Sequence, residues 1–427
     1  MEIYVVLPGD SIYSIAEKYG VSVEKLVKDN GLSYPYDLVI GQAIIIAYAK
    51  QSYVVQEGDS LEGIAAAYDV PVMQLLRNNP DLSAREFIYP GETLVISYRT
   101  QKSIMTNGYA YPYINRDSLC KILPNLTYLS VFNYRATEKG QVIEYQDDTD
   151  IIELSKAFGV VPLLMLTTLS RQGQPDIETA YSILGIEEYQ ERTINEFMEI
   201  MKQKGYRGIN IVFNYLNKNS ESLYHAYLEK ISLRVQQEGY LFFITVNFPI
   251  EENGTIVPVD YEKLSRYVDG MVFMRFVWGS NIGPPTPVSN INYTKELLEY
   301  LLKSNVPPNK IVIGKPTIGY DWELPYVPGE SSAYALSILS VYNLAREVNA
   351  IVLFDETSQT PYFYYEQNFG GISERHIIWF IDGRSINALN ELIFEYNLNG
   401  SGIWNIMIYY PQLWTTIIAT FDIIKLI

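Results

Sequence analysis

From about residue 100 to the end of the chain, short apolar runs alternate with longer stretches that have helical spacing of apolar side chains. This alternation constrains the fold most strongly, because it is typical of parallel βα units. Strands are predicted at 104–107, 128–134, 160–166, 208–215, 242–247, 270–276, 311–316 and 402–406. Helices are predicted near 187–204, 220–237, 293–303 and 386–396. Eight such strands over about 330 residues predict a (β/α)8 TIM barrel, an α/β fold.

An internal repeat precedes this region. The segment Tyr-Val-Val-Leu-Pro-Gly-Asp-Ser-Ile begins at Tyr4, and Tyr-Val-Val-Gln-Glu-Gly-Asp-Ser-Leu begins 49 residues later at Tyr53. In each copy two amphipathic helical stretches follow, and a Gly-x-x-Ile/Leu-x-Ile strand ends the unit. The pattern predicts two small βααβ domains at 1–48 and 49–98, followed by the barrel at 99–427.

Charge and composition exclude several classes of function. The formal net charge is −17, which disfavours nucleic acid and anionic membranes as partners. A single cysteine, Cys120, rules out an internal disulfide framework, and His225 and His376 lie too far apart to predict a histidine-based metal site. We therefore expect no metal and no cofactor. No apolar run is long enough for a membrane span, and no basic leader precedes the first repeat, so we expect synthesis without a signal peptide.

Both repeats resemble the LysM domain, a module that binds N-acetylglucosamine-containing glycans such as peptidoglycan and chitin. The resemblance implies a sugar groove between the first loop and the loop that follows the second helix. Its candidate residues are Gly9, Asp10, Ser11 and Asn30 in the first repeat and Gly58, Asp59, Ser60 and Asn79 in the second. The alternative for each single residue is a role in turns and helix caps alone.

The predicted barrel resembles family 18 glycoside hydrolases. Gly208–Tyr215 is similar to the fourth strand, which in the family carries Asp-x-x-Asp-x-Asp-x-Glu. Further similar segments are Tyr128–Tyr134 on the second strand, Met274–Trp278 on the sixth, Gly319–Trp322 after the seventh and Ser401–Trp404 on the eighth. The resemblance also implies a small α+β insertion at about 323–378. LysM pairs joined to such a barrel resemble the spore cortical-fragment lytic enzymes and related sporulation glycosylases of endospore-forming bacteria. This implies peptidoglycan and possible coat or cortex proteins as partners, and a spore or cell-wall location.

The residues that carry the family's chemistry are replaced in this sequence. Family 18 enzymes use the substrate's own N-acetyl group as the nucleophile. By resemblance, the acid position is Asn214, the assisting aspartate position is Val212, and the sixth-strand pair is Phe276 and Val277. An amide cannot deliver a proton with useful acidity, and valine cannot stabilise positive charge. Arg207 and Asn210 stand at the two remaining acidic positions. We therefore predict a barrel without hydrolytic activity.

Aromatic and amide side chains remain at positions that contact sugar in the family. They are Asn210, Tyr215, Trp278, Tyr320, Trp322 and Trp404, and Tyr109, Phe132 and Tyr134 are also expected at the mouth. These residues predict a glycan that docks without being cleaved. Two alternatives stay open. The pocket is packed shut, or the protein is an active N-acetylglucosaminidase or chitinase-like enzyme whose acid is Glu251, Glu252 or Asp321.

Overall fold

The computed structural model describes residues 1–85, 87–169, 176–213, 219–248, 250, 256–275, 283–369 and 372–427. The first repeat comprises β1 (Glu2–Val5), α1 (Ile12–Tyr19), α2 (Val23–Asn30) and β2 (Ala43–Ile46). The second comprises β3 (Gln51–Val54), α3 (Leu61–Ala67), α4 (Val72–Asn78) and β4 (Thr93–Ser97). In each, the two strands pair antiparallel and the helices cover one face. Two βααβ domains therefore precede the barrel, as the repeat predicts.

Eight parallel strands form a closed barrel, which confirms the predicted fold class. Their ranges are β5 (Lys102–Ala110), β6 (Tyr128–Ala136), β8 (Val161–Thr167), β9 (Gly208–Phe213), β10 (Leu241–Asn247), β11 (Gly270–Met274), β12 (Ile311–Pro316) and β18 (Gly400–Trp404). They pair in that order, and β18 returns to β5 with Trp404 beside Tyr109. Two short strands, β7 (Val142–Glu144) and β19 (Phe421–Ile423), extend the sheet at β6 and β5.

Helices cover the outside of the barrel. They are α5 (Arg116–Ile122), α6 (Thr149–Ala157), α7 (Ile177–Gly185), α8 (Glu187–Lys204), α9 (Glu221–Gln237), α10 (Tyr261–Ser265), α11 (Ile291–Lys303), α13 (Gly383–Glu395) and α14 (Pro411–Ile418). The helix α8 has the predicted bounds, because Gly205 ends it in the left-handed conformation at φ 74°. In the described part of the chain, no helix has both the length and the apolar character that a membrane span requires.

An inserted α+β unit lies between β12 and β18. It comprises β13 (Ile318–Leu324), β14 (Tyr334–Ser337), α12 (Ile338–Glu347), β15 (Leu353–Asp355), β16 (Thr360–Phe369) and β17 (Ile372–Trp379). Its five strands form an antiparallel sheet in the order β14-β13-β17-β16-β15. The sheet begins directly after the seventh barrel strand, so it stands beside the carboxyl ends of the barrel strands, where TIM-barrel sites lie.

Both βααβ domains are docked on the barrel through polar and apolar contacts. In the first domain the carbonyl of Ile40 accepts a hydrogen bond from the Val352 amide at 2.9 Å, and α2 packs on α14. In the second, Asp81 pairs with Lys121 of α5 at 2.8 Å. Lys25 donates to the Tyr98 hydroxyl at 3.1 Å and so joins the first domain to the end of the second. The three parts form one packed body.

Candidate functional site

The first loop of each βααβ domain is built in the same way. Asp10 accepts hydrogen bonds from the Leu7 amide and the Tyr4 hydroxyl, both at 2.7 Å. Asp59 accepts from the Gln56 amide at 2.7 Å and the Tyr53 hydroxyl at 2.8 Å. The backbone hydrogen bond from Leu7 is the largest cause that lowers the pKa of Asp10, with the bond from Tyr4 second. Both carboxylates therefore hold the turn.

Serine and glycine complete this loop. Ser11 caps α1 by accepting from the Ser14 amide at 3.1 Å, and Ser60 caps α3 by accepting from the Gly63 amide at 3.0 Å. Gly9 and Gly58 have φ of 89° and 88°, which other residues rarely adopt. The side chains of the predicted groove thus make the local turns and caps that the alternative interpretation describes. A direct role in glycan contact stays a prediction for each of them.

The two predicted asparagines lock the second helix to the last strand of each domain. Asn30 donates to the Ile45 carbonyl at 2.9 Å and accepts from the Ile45 amide at 2.7 Å. Asn79 makes the same pair with the Val95 carbonyl and amide, both at 2.8 Å. Each side chain also donates to a carbonyl one helical turn before it. These contacts fix the loop that follows the second helix.

A cleft of about 400 Å³ lies in the second domain between its first loop and the loop after α4. Its lining residues are Asp59, Ser60, Leu61, Glu62, Val72, Leu76, Leu82, Ser83, Arg85, Phe87, Ile88 and Phe158. This is the place that the LysM resemblance implies for the glycan. Phe87 is 68% exposed and offers a ring face. In the first domain Tyr13, in the first turn of α1, and Tyr34, in the loop after α2, are exposed.

One wall of this cleft comes from the barrel, which the sequence did not predict. Phe158 follows α6 and packs against the core of the second domain. Phe158 lies just before the strand predicted at 160–166, and nothing in the sequence linked it to a residue such as Phe87. The cleft therefore belongs jointly to the LysM-like domain and to the barrel.

A hydrogen-bonded network of neutral side chains fills the middle of the barrel. Asn210 is fully buried and donates to the Tyr109 hydroxyl at 3.1 Å and to Ser130 Oγ at 2.9 Å. Its oxygen accepts from Thr245 Oγ1 at 2.9 Å. Burial raises the pKa of Tyr109, so its hydroxyl keeps its proton at physiological pH. Asn210 is thus committed to the barrel interior, two residues below Val212 on the same strand face.

An apolar and aromatic cluster adjoins this network and shares Tyr109 with it. It comprises Tyr109, Phe132, Met165, Leu169, Val212, Val272, Met274, Val312 and Trp404, with Tyr111 packed against it. The Trp404 ring lies 5.5 Å from the Tyr109 ring and 5.9 Å from the Phe132 ring. Val212 and Trp404 are 5% and 7% exposed. The predicted assisting position and the predicted sugar floor are therefore brought together in one packed cluster.

Two other predicted aromatic positions are buried in the insertion. Tyr320 is 4% and Trp322 is 1% exposed, and Trp322 donates to the Gly283 carbonyl at 3.0 Å. In this structure neither offers an open ring face, so sugar stacking by them stays a prediction. The expectation that Tyr134 lines the mouth is wrong, because its hydroxyl points outward and donates to Asp148 at 2.5 Å. Five predicted positions, Asn214, Tyr215, Phe276, Val277 and Trp278, lie outside the described residues.

Asp321, a candidate for a relocated acid, is held on the opposite face of the insertion sheet. Neighbouring residues of a strand face opposite ways, so Asp321 points away from the face that carries Tyr320 and Trp322. It accepts from the Tyr365 hydroxyl at 2.6 Å, and His376 Nδ1 lies 3.1 Å from its other oxygen. It is 7% exposed. The carboxylate is thus a structural partner inside the insertion.

The sequences of the barrel region and of the two small domains match models of known protein families. Residues 121–407 match the family model described as glycosyl hydrolases family 18, and residues 4–47 and 53–97 match the LysM domain. The chain belongs to glycosyl hydrolase family 18 and carries two LysM domains.

Several relatives match this chain over nearly its whole length. Cortical fragment-lytic enzymes of Bacillus anthracis and Bacillus subtilis are 33% and 34% identical, with 100% of this chain and 99% of each relative covered. The putative sporulation-specific glycosylase YdhD of Bacillus subtilis is 29% identical over 97% of both chains. The crystal structure of the Bacillus cereus spore cortex-lytic enzyme SleL is 31% identical, with a TM-score of 0.79 and 99% of both chains covered.

Proposed function

We propose that this protein is a peptidoglycan-binding, spore-associated member of family 18 whose barrel does not hydrolyse glycan. The observation that carries the proposal is the position of Val212. By resemblance it stands at the position of the assisting aspartate, and in the structure it packs with Met165 and Trp404 in an apolar cluster. Such a side chain can neither orient an acetamide nor stabilise a cationic intermediate.

The sequence at the acid position supports the same conclusion. By resemblance, Asn214 corresponds to the glutamic acid that protonates the leaving oxygen in the family, and an amide has no proton of useful acidity. Loss of general acid catalysis typically lowers the rate by about 10²–10⁴-fold. Replacement of the assisting group at Val212 adds a further loss, because the two groups act at different points of the same reaction.

Glycan binding is assigned to the LysM domains. The cleft of the second domain combines an exposed ring, Phe87, with polar groups of Ser60 and Arg85, as carbohydrate sites do. The named activity of the cortical fragment-lytic relatives supports peptidoglycan, or another N-acetylglucosamine-containing glycan, as the ligand. Their names also support a location at the spore cortex, coat or cell wall, where coat or cortex proteins would be further partners.

The alternative function is an active cortical-fragment hydrolase with a relocated acid. The names of the relatives favour it. Among its three candidate acids, Asp321 is engaged by Tyr365 and His376 inside the insertion. Glu251 and Glu252 lie outside the described residues. The alternative therefore rests on those two glutamates.

One incubation separates the two functions. The full-length protein, at high concentration, is mixed with N-acetylglucosamine oligomers and purified cortical fragments, and mass spectrometry follows products and intact complexes. We expect intact glycan bound to protein without new reducing ends. Products that end in N-acetylglucosamine would reject the non-hydrolytic proposal. Loss of those products in Glu251→Gln or Glu252→Gln would then identify the acid.

A further inference from the structure

Three side chains that could ligate a metal ion meet where the start of α9 lies against the start of α10. Glu221 and His225 are four residues apart on α9, so they lie on one face of that helix. Asp260 is the N-cap residue of α10. One ligand atom from each of the three residues lies within 4.8 Å of the other two. The two histidines of the sequence are too far apart to predict a metal site, whereas the fold places one of them beside two carboxylates.

The imidazole of His225 is the group that points to a bound ion. The residue is 6% exposed, and neither of its ring nitrogens has a hydrogen-bond partner among the described residues. A buried polar atom without a partner is costly. His225 Nε2 lies 3.7 Å from Glu221 Oε1, which is too far for a hydrogen bond. Two ligand atoms on a tetrahedral zinc ion are about 3.4 Å apart, so a cation between these atoms would satisfy Nε2 after a small movement.

Backbone amides hold both carboxylates beside the imidazole. The Asp260 amide donates to Glu221 Oε1 at 2.5 Å, and the Lys263 amide donates to Asp260 Oδ1 at 3.0 Å. Carboxylates that ligate metals in proteins are usually fixed by hydrogen bonds of this kind. Asp260 is exposed and Glu221 is half-buried, so a cation can reach the cluster from solvent on this side.

The charges around His225 favour a further cation. The charged groups that act on the imidazole are the carboxylates of Glu221 and Asp260 and the ammonium of Lys263. Lys263 opposes a second cation, but the two carboxylates outweigh it. No ion pair of Lys263 with either carboxylate is formed within the described part of the chain, so both carboxylates keep their capacity for an ion.

A second acidic cluster in the described residues shows the contrast. Glu144, Asp147 and Asp148 also bring three carboxylates together. There, however, Lys204 forms ion pairs with Glu144 and with Asp148, the latter at 2.7 Å. That cluster contains its own cation and has no unpartnered imidazole, so it carries no metal-binding proposal.

We propose that Glu221, His225 and Asp260 bind a divalent transition-metal cation of the zinc class. One imidazole nitrogen with carboxylate oxygens suits Zn²⁺, whereas Mg²⁺ prefers oxygen ligands alone. Three protein ligands leave one tetrahedral position for water. None of the three residues belongs to the apolar cluster that contains Val212 and Trp404. The ion would link α9 to α10, the helices that follow β9 and β10, and its binding is independent of glycan binding and of hydrolysis.

Calorimetric titration of the untagged, chelator-treated full-length protein with ZnCl₂ tests the proposal, with MgCl₂ as the comparison. The ligand variants are Glu221→Gln, His225→Gln and Asp260→Asn. Glu229→Gln, which changes an exposed carboxylate of α9, is the matched control. We expect one Zn²⁺ per chain, bound at least about tenfold more weakly by each ligand variant and unchanged by Glu229→Gln. We expect no binding of Mg²⁺ in the same range.

Folding of the variants is checked by thermal melts without metal. Asparagine at 260 keeps the oxygen that caps α10, so Asp260→Asn keeps the test valid if His225→Gln does not fold. Zn²⁺ at about a hundredfold above its Kd is expected to raise the melting temperature of the wild-type protein and not that of the ligand variants.

The charge of Lys263 provides a further readout. Lys263→Met removes a positive charge beside the cluster and is expected to strengthen Zn²⁺ binding about twofold to fivefold. Wild-type protein that does not bind Zn²⁺ would overturn the proposal. So would Zn²⁺ affinity that is unchanged in the three ligand variants, or Mg²⁺ that binds as tightly as Zn²⁺.

Discussion

Gln412 Nε2 donates a hydrogen bond to Asn30 Oδ1 at 3.0 Å, and so ties the last helix of the barrel to the first LysM domain. The same nitrogen donates to the Ala43 carbonyl at 2.7 Å. The Gln412 oxygen accepts from the Gly383 amide at 3.2 Å and the Tyr410 hydroxyl at 3.0 Å. Gln412 is 1% exposed, so these bonds are formed away from water. The buried side-chain amide of Gln412, with both its nitrogen and its oxygen hydrogen-bonded, thus holds the LysM domain on the barrel.

Replacement of this amide is expected to loosen the LysM domain. Gln412→Leu keeps a similar volume but leaves the Ala43 carbonyl and the Gly383 amide buried without their partner. We expect the free energy of unfolding to fall by about 2–4 kcal/mol. Urea denaturation measures this, and limited proteolysis between 48 and 52 reports undocking. Gln203→Leu, on the exposed end of α8, is the control and is expected within about 0.5 kcal/mol of wild type. Equal effects of both variants would contradict the prediction.

Asp148 is a buried carboxylate outside the barrel with four donors around it. It accepts from the Tyr134 and Tyr206 hydroxyls at 2.5 Å, from Lys204 Nζ at 2.7 Å and from Asn133 Nδ2 at 3.1 Å. Although burial opposes it, hydrogen bonds to Asp148 and Glu144 raise the pKa of Lys204. The carboxylate therefore organises the junction of β6, α8 and the loop before α6.

Neutralisation of this carboxylate is expected to be costly. Asp148→Asn keeps the shape of the side chain but removes the negative charge that balances Lys204. Its new NH2 group is a donor and would face the donors that now bind the carboxylate. We expect about 3–5 kcal/mol of destabilisation. The neighbouring Asp147→Asn is the control, because Asp147 is exposed and accepts from the amide and hydroxyl of Thr149. Guanidinium denaturation of both variants makes the comparison. A loss below about 1 kcal/mol for Asp148→Asn would show that the ion pair contributes little.

The sequence predicted helices and strands where a local pattern determines them. It did not predict contacts between side chains that are far apart in the chain. The helix α8 was predicted with its true bounds, because its apolar positions recur at helical spacing and Gly205 stops it. The repeat gave both LysM domains because each unit is complete in itself. The Gln412–Asn30 bond joins residues 382 positions apart, and no local pattern encodes such a pair.

In the candidate site, too, local features were predicted and contacts between distant residues were not. The LysM resemblance predicted a groove where the cleft of the second domain lies, because its two loops belong to one repeat. Phe158 was missed since it comes from the barrel. The sequence also placed Trp322 among sugar-contacting aromatics, whereas the fold buries its ring and uses its N–H for the Gly283 carbonyl. Residue type alone does not distinguish a ring that faces a ligand from one that fills the core.

The buried Lys315 is expected to make the free energy of unfolding depend on pH. It is fully buried, its Nζ donates to Ser401 Oγ, and burial lowers its pKa from 10.5 to about 7. Between pH 7 and about 10.5 the unfolded chain binds the proton that the folded chain lacks, so stability rises with pH in that window. Lys315→Met removes this dependence and is expected to stabilise the protein at pH 7, by at most about 4–5 kcal/mol.

Thermal melts at pH 7 and pH 9.5 test this prediction. The gain in melting temperature for Lys315→Met over wild type is expected to shrink at the higher pH. Lys303→Met is the control, since Lys303 is exposed at the end of α11 and its substitution is expected to change little at either pH. A gain of the same size at both values would mean that Lys315 is charged in the folded protein throughout the range.

The ring of Phe87 is expected to contribute to glycan binding. Phe87→Ala removes an exposed aromatic surface from the cleft of the second LysM domain. We expect about tenfold weaker binding of N-acetylglucosamine oligomers, with little change in stability, because the side chain is not packed. Calorimetric titration measures the affinity. Tyr334→Ala, 70% exposed in the insertion, is the control. Unchanged affinity in Phe87→Ala would place the glycan elsewhere, with Tyr13 and Tyr34 of the first domain as the next positions to test.

Acidic residues introduced at the positions that we propose to be degenerate test whether the barrel can still form an active site. The variant combines Val212→Asp, Asn214→Glu and Val277→Asp. We expect hydrolysis of N-acetylglucosamine oligomers at least about 10²-fold above wild type, since general acid catalysis alone supplies about that factor.

The control for restoration is the same variant with Val212→Asn in place of Val212→Asp. Asparagine matches the shape of the aspartate but cannot stabilise the cationic intermediate, so we expect most of the gained activity to disappear. Mass spectrometry of products measures both proteins, and thermal melts show whether each has folded. A folded restored variant without activity would mean that Val212, Phe132 and Trp404 close the sugar site. The barrel would then act as a scaffold that positions the two LysM domains.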